Sequence, residues 1–116
     1  MKKLTICFDL DNTLCKTKKS DYKNSRPILK NIKIVNDLYN KGVIIKIFTS
    51  RFMGRTNENV SKAKKMGLNF TKKQLKIWNI KHDKLIFGKP SYDLIVDDKS
   101  LNFKKNWAEN LKKKYL

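Results

Sequence analysis

The sequence predicts a three-layer α/β fold of the Rossmann-like type, with a central parallel sheet between helices. Two observations predict it. Short, nearly continuous apolar runs recur along the chain, as is typical of strands buried on both faces of a parallel sheet. Segments with apolar residues at helical spacing separate these runs, and that alternation favours an open α/β sheet. A chain of 116 residues can bury one ordinary core, so we expect a single domain, residues 1–116.

Four apolar runs are predicted strands, at residues 3–8, 43–48, 85–87 and 94–96. The second run, VIIKIF, is almost free of polar residues, whereas the last two are short. No linker, internal repeat or domain boundary interrupts the series. Residues 12–26 are rich in Lys, Ser and Asp and lack periodicity, so they are predicted to form a flexible loop beside the end of the first strand.

Helical periodicity places the first helix at residues 28–39. Pro27 near its first turn and Gly42 just past its end agree with the residues that commonly start and stop helices. The last predicted helix lies near the C-terminus. It carries the apolar residues Leu101, Phe103, Trp107, Ala108 and Leu111.

Two further helices are predicted between the second and third strands. One is expected at about residues 58–66, and it should end at Gly67, because glycine commonly terminates helices. Thr71 and Gln74 form a T-x-x-Q pattern. This pattern is typical of a capping box and predicts that the next helix begins at Thr71.

The composition is strongly basic, with 28 Lys and Arg against 10 Asp and Glu and a formal net charge of +18. Such a charge is found in proteins that bind nucleic acids or anionic substrates. Nearly all of it is lysine, however, and it is spread along the chain rather than concentrated in a patch. The pattern therefore favours a solvated lysine surface.

No secretion signal or membrane segment is evident in the sequence. The apolar run within MKKLTICFDLDNT is too short for a signal peptide, and acidic residues follow it too closely. No other run approaches the length of a membrane span. Cys7 and Cys15 have neither the number nor the spacing of a zinc site or a disulfide framework. We therefore expect a cytoplasmic protein that does not associate with membranes.

Polar residues directly follow each of the four predicted strands. In an open parallel sheet the functional site lies outside the carboxyl ends of the strands, so these residues should lie together. Carboxylates this close repel one another unless a cation is bound, and hard oxygen ligands suit Mg²⁺. The residues concerned are Asp9, Asp11, Thr49, Ser50, Arg51, Gly88, Lys89, Pro90, Asp97 and Asp98.

The same edge of the sheet also offers groups that suit a phosphate. They are a lysine, a threonine hydroxyl and the backbone N–H groups in the turn at Leu10 and Asn12. A metal ion together with a phosphate indicates phosphoryl transfer. Ser50 and Arg51 follow in the next loop as candidate substrate contacts, although Arg51, like Arg55, fits a solvated loop charge equally well.

Four short motifs occur in order: DLDNT, a strand ending in Thr49, GKP and DLIVDD. In this order they resemble the motifs of the haloacid dehalogenase superfamily of phosphohydrolases, over residues 6 to about 100. The sequence around these motifs is similar to that of small phosphatases of capsule and surface-polysaccharide biosynthesis. The segments that carry this narrower resemblance are FTSR, WNIKHDKLIFGKP and YDLIVDDKS.

The resemblance implies a covalent mechanism. Asp9 would be the nucleophile that attacks phosphorus and forms an aspartyl phosphate, which divides one difficult hydrolysis into two easier displacements. Asp11 would be the general acid and base, protonating the departing alkoxide and then activating the water. Their spacing of two in an extended chain points both side chains the same way.

The resemblance also implies which residues bind the metal and the phosphate. Magnesium would be held by the Asp9 carboxylate, the Asp11 carbonyl and Asp97, with Asp98 either a ligand through water or an anchor behind the site. Thr49 would bind a phosphate oxygen. Lys89 would offset the combined negative charge of Asp9 and the phosphoryl group.

Many members of the superfamily carry a cap domain, and this chain has no room for one. An open site suits a bulky substrate, such as a phosphorylated sugar or sugar nucleotide, or a lid supplied by a second subunit of a homo-oligomer. His82, the only histidine, has no partner motif. Trp78 and Trp107 fall on apolar helix faces and are predicted core residues.

The function that the sequence favours is a magnesium-dependent phosphatase acting on a small phosphate ester in surface-polysaccharide precursor synthesis. An alternative is a phosphatase acting on nucleic-acid ends, and the positive charge is its main support. A third reading, from a different class, is a phosphoaccepting receiver domain. The order of the motifs disfavours it, because a receiver has its paired acids after the first strand, whereas here they come last.

Overall fold

The structure is a computed structural model that describes residues 3–116. Three parallel strands form its main sheet in the order β1-β4-β5, and helices flank the sheet. In chain order the elements are β1 (Thr5–Asp9), β2 (Cys15–Lys16), β3 (Arg26–Pro27), α1 (Leu29–Asn40), β4 (Ile44–Thr49), α2 (Val60–Ile77), β5 (Lys84–Phe87) and α3 (Trp107–Tyr115). This is a Rossmann-like α/β fold, and the predicted fold class is confirmed; residues 3–116 contain no inserted cap domain.

The register of the sheet brings the carboxyl ends of its three strands level. Asp9 lies opposite Phe48 in the β1–β4 pair. Thr49, the next residue of β4, lies opposite Phe87 in the β4–β5 pair. Because all three strands are parallel, the residues that follow them emerge at one edge, as the sequence predicts.

The main core lies between β4, α1 and the start of α3. Ile45, Ile47 and Thr49 of β4 are fully buried, because side chains alternate along a strand and this face of β4 is covered. The ring of Trp107 lies 5.9 Å from that of Phe8, which confirms Trp107 as a core residue. None of the helices in residues 3–116 is long and apolar enough to cross a membrane.

The two helices predicted between β4 and β5 are one continuous helix, α2. The Asn59 side chain caps its start by accepting the Lys62 N–H at 3.0 Å. Gly67 lies inside the helix and does not end it, and Thr71 is a buried mid-helix residue instead of a cap. The prediction failed because glycine is required at position 67 for packing and not for ending the helix. The ring of Phe52 occupies the space where a side chain would be.

Replacing Gly67 by alanine is expected to destabilise the protein by about 1 kcal/mol. Alanine gains about 1 kcal/mol in helix propensity, but its methyl group would overlap the Phe52 ring, and overpacking costs about 1–3 kcal/mol. Gly54→Ala is the matched control, because a methyl group there meets only Ser91 at 3.8 Å. Urea unfolding measures both. A Gly67→Ala protein more stable than the wild type would contradict this packing.

The fourth predicted strand, at residues 94–96, is not formed. Leu94, Ile95 and Val96 are 82%, 50% and 90% exposed and lie in an irregular segment between β5 and α3. Three apolar residues flanked by charged Asp93 and Asp97 give little area to bury. Within residues 3–116, β1 therefore pairs only with β4 and forms one edge of the sheet.

The last helix is also shorter than predicted. It begins at Trp107, so Leu101 and Phe103 precede it and are exposed. Its apolar contacts come from Trp107, Ala108 and Leu111, which are all buried. The C-terminal prediction is therefore correct for the second half of the apolar pattern and wrong for the first half.

Residues 12–26, here called the flap, are more ordered than the predicted flexible loop. Cys15 and Lys16 of β2 pair in antiparallel fashion with Pro27 and Arg26 of β3, so the flap leaves the end of β1 and returns beside it. A 3-10 turn at Tyr22–Asn24 forms its tip. There the Tyr22 ring packs edge-on against Phe52, with ring centroids 5.0 Å apart.

Candidate functional site

The ends of β1, β4 and β5 bring Asp9 and Lys89 together. The Lys89 Nζ lies 3.4 Å from the Asp9 carboxylate, and the Lys89 backbone N–H donates to the Thr49 carbonyl at 3.2 Å. Gly88 makes this turn possible, because its φ of +104° lies in the region that favours glycine. The structure thus joins residues that are 80 positions apart in the sequence, as the strand-end argument predicts.

Asp9 is the more accessible member of this ion pair. Its side chain is 35% exposed and that of Lys89 only 11%. Burial raises the pKa of Asp9, while Lys89 and the Leu10 backbone N–H act in the opposite direction. For Lys89, burial is the largest influence and lowers the pKa, but a hydrogen bond that Lys89 donates to Tyr92 and the charge of Asp9 together outweigh it, so the pKa is raised.

A tight turn follows Asp9. The Leu10 carbonyl accepts the N–H groups of Thr13 and Leu14 at 3.2 and 2.8 Å, and the Leu10 side chain is fully buried. Asn12 adopts a left-handed φ of 62°. Its N–H donates to the Cys15 carbonyl at 2.6 Å, so this predicted phosphate contact is already occupied by the turn.

The Asp11 carboxylate is held by a buried arginine. Arg51 donates from Nε and Nη2 to the two oxygens of Asp11, each at 2.9 Å. The Thr17 hydroxyl donates to the same carboxylate at 2.5 Å. Paired planar groups of this kind form the strongest and most directional hydrogen bonds between side chains.

Arg51 is 1% exposed, which overturns the reading of it as a solvated loop charge. Its Nη1 donates to the Gln74 Oε1 at 2.6 Å and to the Thr71 hydroxyl at 3.4 Å. The Tyr22 ring lies 4.7 Å from its guanidinium carbon. With its donors engaged in this way, Arg51 does not present a free cation to a substrate.

Sequence reasoning missed the side chains that surround Arg51. The spacing of Thr71 and Gln74 predicts a capping box, yet both are buried on the inner face of α2. The signal was available, because two polar residues three apart on an otherwise apolar helix face require a polar partner inside the protein. The pattern does not identify that partner, which is Arg51, 20 or more residues earlier in the chain.

Thr49 and Ser50 complete the loop after β4. Thr49 is fully buried, and its hydroxyl accepts the Arg51 backbone N–H at 3.1 Å. The hydroxyl retains its own proton for donation. Ser50 is half-buried, and its carbonyl accepts the Met53 N–H at 3.1 Å.

The predicted metal ligands do not come together. Asp97 and Asp98 lie in the exposed segment that follows β5, where the Asp97 carboxylate accepts the Lys99 N–H at 3.0 Å. Within the described part of the chain, no three His, Cys, Asp or Glu side chains are close enough to hold one metal ion. The three predicted carboxylate ligands Asp9, Asp97 and Asp98 are therefore not assembled into one metal site among the described residues.

The remaining candidates lie outside this cluster. His82 is half-buried, and its Nδ1 lies 2.9 Å from the Ile80 carbonyl. Arg55 is exposed above the Phe52 ring, with its guanidinium carbon 4.7 Å from the ring centroid. Trp78 packs against the main core, as predicted. Cys7 is exposed and Cys15 buried, and both thiols are free; burial raises the pKa of Cys15 to about 11.

The chain is similar in structure to a crystal structure described as an MCSG target from Vibrio cholerae. The TM-score is 0.79 and the sequence identity 26%, over 96% of this chain and 98% of the other. The likeness therefore extends over nearly the whole of both chains and supports the α/β fold. No protein-family model matches the chain, and no curated protein matches it.

Proposed function

We propose that the protein is a phosphatase that hydrolyses phosphate monoesters through an aspartyl-phosphate intermediate. The observation that carries this proposal is the arrangement at the sheet edge. A partly exposed carboxylate, Asp9, lies 3.4 Å from the cation of Lys89, and Asp11 follows two residues later with its carboxylate fixed by Arg51. A nucleophile, a cation and a proton-transferring group are the parts that phosphoryl transfer through an enzyme carboxylate requires.

The chemistry has two steps. An oxygen of Asp9 attacks phosphorus as the bond from phosphorus to the leaving group breaks, and protonated Asp11 gives its proton to the departing alkoxide oxygen. Water then attacks the phosphorus of the aspartyl phosphate, Asp11 accepts the proton, and the release of phosphate restores Asp9. Lys89 lowers the repulsion between the Asp9 carboxylate and the incoming anion, which would otherwise oppose both steps.

Magnesium belongs to the proposal because the sequence resemblance implies it. Asp97 and Asp98 lie in an exposed segment and form no three-carboxylate cluster with Asp9 among the described residues. Magnesium binding by the four aspartates would require residues 91–100 to approach the carboxyl end of β1. All ten of these residues are exposed, so few packing contacts oppose such a movement.

The proposed substrate is a small phosphate ester of surface-polysaccharide precursor synthesis in the cytoplasm. The narrower sequence resemblance supports this pathway, and the absence of a cap from residues 3–116 supports a bulky substrate. A hollow beside the flap adds a chemical preference. Three cations line it together with polar groups, so it favours substrates with additional negative charge; its lining is Asn12, Lys16, Thr17, Lys18, Asn24, Arg26 and Ile28.

The proposal is tested by phosphate release from p-nitrophenyl phosphate and from a panel of sugar, amino-alcohol and nucleotide phosphates. Each substrate is measured with magnesium and with EDTA. We expect turnover with magnesium and little with EDTA, and Asp97→Asn should remove most of that difference. An Asp93→Asn protein is the control, because Asp93 lies in the same exposed segment but is not a predicted metal ligand. Absence of turnover on all substrates would contradict the proposal.

A second candidate is a phosphatase acting on nucleic-acid ends. The specific observation that favours it is the same hollow, whose cations Lys16, Lys18 and Arg26 would contact the next phosphate of a chain. An oligonucleotide with a terminal phosphate therefore belongs in the panel. Preference for it, with an affinity that falls steeply as salt rises, would select this candidate over the small ester.

A further inference from the structure

We infer that Arg51 is the positioning residue of Asp11 and that, through Tyr22, it couples the orientation of this general acid to the position of the flap. The inference rests on the proposed function. It assigns to Arg51 a task different from binding the substrate, because the guanidinium is buried and its contacts run to protein groups. Arg51 acts on the reaction through Asp11.

The geometry fixes the plane of the Asp11 carboxylate. Two parallel hydrogen bonds of 2.9 Å join the guanidinium to both carboxylate oxygens, so rotation of the carboxylate breaks at least one of them. The guanidinium is held from behind by Gln74 at 2.6 Å and by Thr71 at 3.4 Å. Both partners belong to α2. They fix the guanidinium, and through it the Asp11 carboxylate, relative to this helix.

The same guanidinium contacts the flap. Its carbon lies 4.7 Å from the centre of the Tyr22 ring, a distance typical of a favourable cation–π contact. The Gln74 side chain, which accepts from Arg51, also donates to the Tyr22 carbonyl at 2.5 Å. Opening of the flap tip would therefore remove one contact of the arginine itself and one contact of its partner Gln74.

The flap reaches Asp11 from its other end as well. The Thr17 hydroxyl donates to the Asp11 carboxylate at 2.5 Å and contacts the Ser25 hydroxyl at 2.6 Å. The flap is thus in direct contact with the group whose proton moves.

Lysine cannot replace Arg51 in this role. Its ammonium group is a single point of charge and cannot form two parallel hydrogen bonds to a carboxylate while also reaching Gln74. Arg51→Lys therefore keeps the buried positive charge next to Asp11 but loses the fixed orientation. This makes it a sharper test than alanine, which would leave the half-buried Asp11 beside an empty space.

The acid step gives a signature that a purely structural role would not. An alkyl phosphate releases an alkoxide that needs the proton of Asp11, whereas p-nitrophenyl phosphate releases a stable phenolate that does not. The value of kcat/KM reports the first step, in which the leaving group departs. Loss of oriented acid catalysis therefore lowers kcat/KM for the alkyl ester selectively.

The experiment compares kcat/KM for p-nitrophenyl phosphate and for the best alkyl phosphate in wild type, Arg51→Lys and Asp11→Asn. General acid catalysis contributes about 10²–10⁴-fold. We expect Arg51→Lys to lose on the order of 10²-fold on the alkyl ester and under about tenfold on the aryl ester, and Asp11→Asn to share this selectivity. Arg55→Lys is the comparison variant: Arg55 contacts the flap at the Ser20 carbonyl, 3.4 Å, and lies 5.8 Å from the same Tyr22 ring without contacting Asp11, so the ratio should change less than in Arg51→Lys.

Equal losses on both esters, or none, would overturn the inference while leaving the phosphatase proposal intact. A wild-type protein inactive on every ester would overturn both. If Arg51→Lys does not fold, as judged by circular dichroism, Gln74→Met replaces it, because it removes the contact behind the guanidinium and keeps the arginine. The same selective loss, of smaller size, is expected from that variant, and an unchanged ratio would contradict the inference.

Discussion

Asp9→Asn lowers the turnover of every phosphate ester that the wild type hydrolyses, by on the order of 10⁴-fold or more. The amide has nearly the shape of the carboxylate but lacks the charge and the nucleophilic oxygen, so no aspartyl phosphate forms. The partly exposed carboxylate of Asp9 beside Lys89 is the group that the incoming phosphorus would meet. The measurement is phosphate release under saturating substrate, together with mass spectrometry of the trapped wild-type intermediate.

The control for this variant is Asp37→Asn. Asp37 pairs with Lys33 at 2.8 Å on the exposed side of α1, so its loss should change stability by under about 0.5 kcal/mol and activity hardly at all. Thermal unfolding of both variants separates misfolding from loss of chemistry. Substantial activity of a folded Asp9→Asn protein would exclude Asp9 as the nucleophile and redirect attention to Asp11.

Lys89→Met lowers kcat by about 10²–10³-fold, the range found when one group that stabilises developing charge is removed. Methionine has a similar length and keeps the aliphatic contacts, so the change removes mainly the charge 3.4 Å from Asp9. Without that charge the phosphate anion approaches an unscreened carboxylate, and the pKa of Asp9, already raised by burial, loses the influence that most opposes the rise. The readout is kcat and KM on the best substrate of the panel.

Lys84→Met is the matched control for the lysine. Lys84 lies at the opposite end of the same short strand, β5, and its side chain is exposed. Both variants lose one positive charge from a strongly basic protein, so any general effect of net charge on substrate attraction appears equally in both. If the two variants fall by the same factor, Lys89 has no specific role at the site.

The parts of the fold that were predictable are those that local pattern determines. The runs that became β1, β4 and β5 are apolar over most of their length, and burial in a parallel sheet favours such runs. The position of the candidate site followed from them, because residues at the ends of parallel strands meet whatever the loops do. That argument predicts that Asp9 and Lys89 lie together, and in the structure they form an ion pair.

The errors have a common physical origin in partners that are distant in sequence. Gly67 looks like a helix end until the Phe52 ring is seen against it. Thr71 and Gln74 look like a capping box until Arg51 is placed between them and Asp11. In each case the residue type fits either a helix end or an interior contact of the helix, and tertiary packing decides which of the two forms.

Residues 94–96 show the opposite failure, in which a local signal was too weak. Their apolar run has only three members and carries acids on both sides. Pairing it with a strand would bury little area and bring carboxylates close to those of Asp9 and Asp11. Whatever the sequence pattern favours, that repulsion must be offset before the segment can join the sheet, and a cation is one way to offset it.

The unpaired edge of β1 also bears on how copies of the protein meet. An open edge presents free backbone N–H and C=O groups, and any extended segment can add to it, including residues 94–96 of a second copy. The net charge of +18 opposes such an encounter at low ionic strength. Salt or a polyanion screens that repulsion, so any association of two copies through this edge would be favoured by high ionic strength.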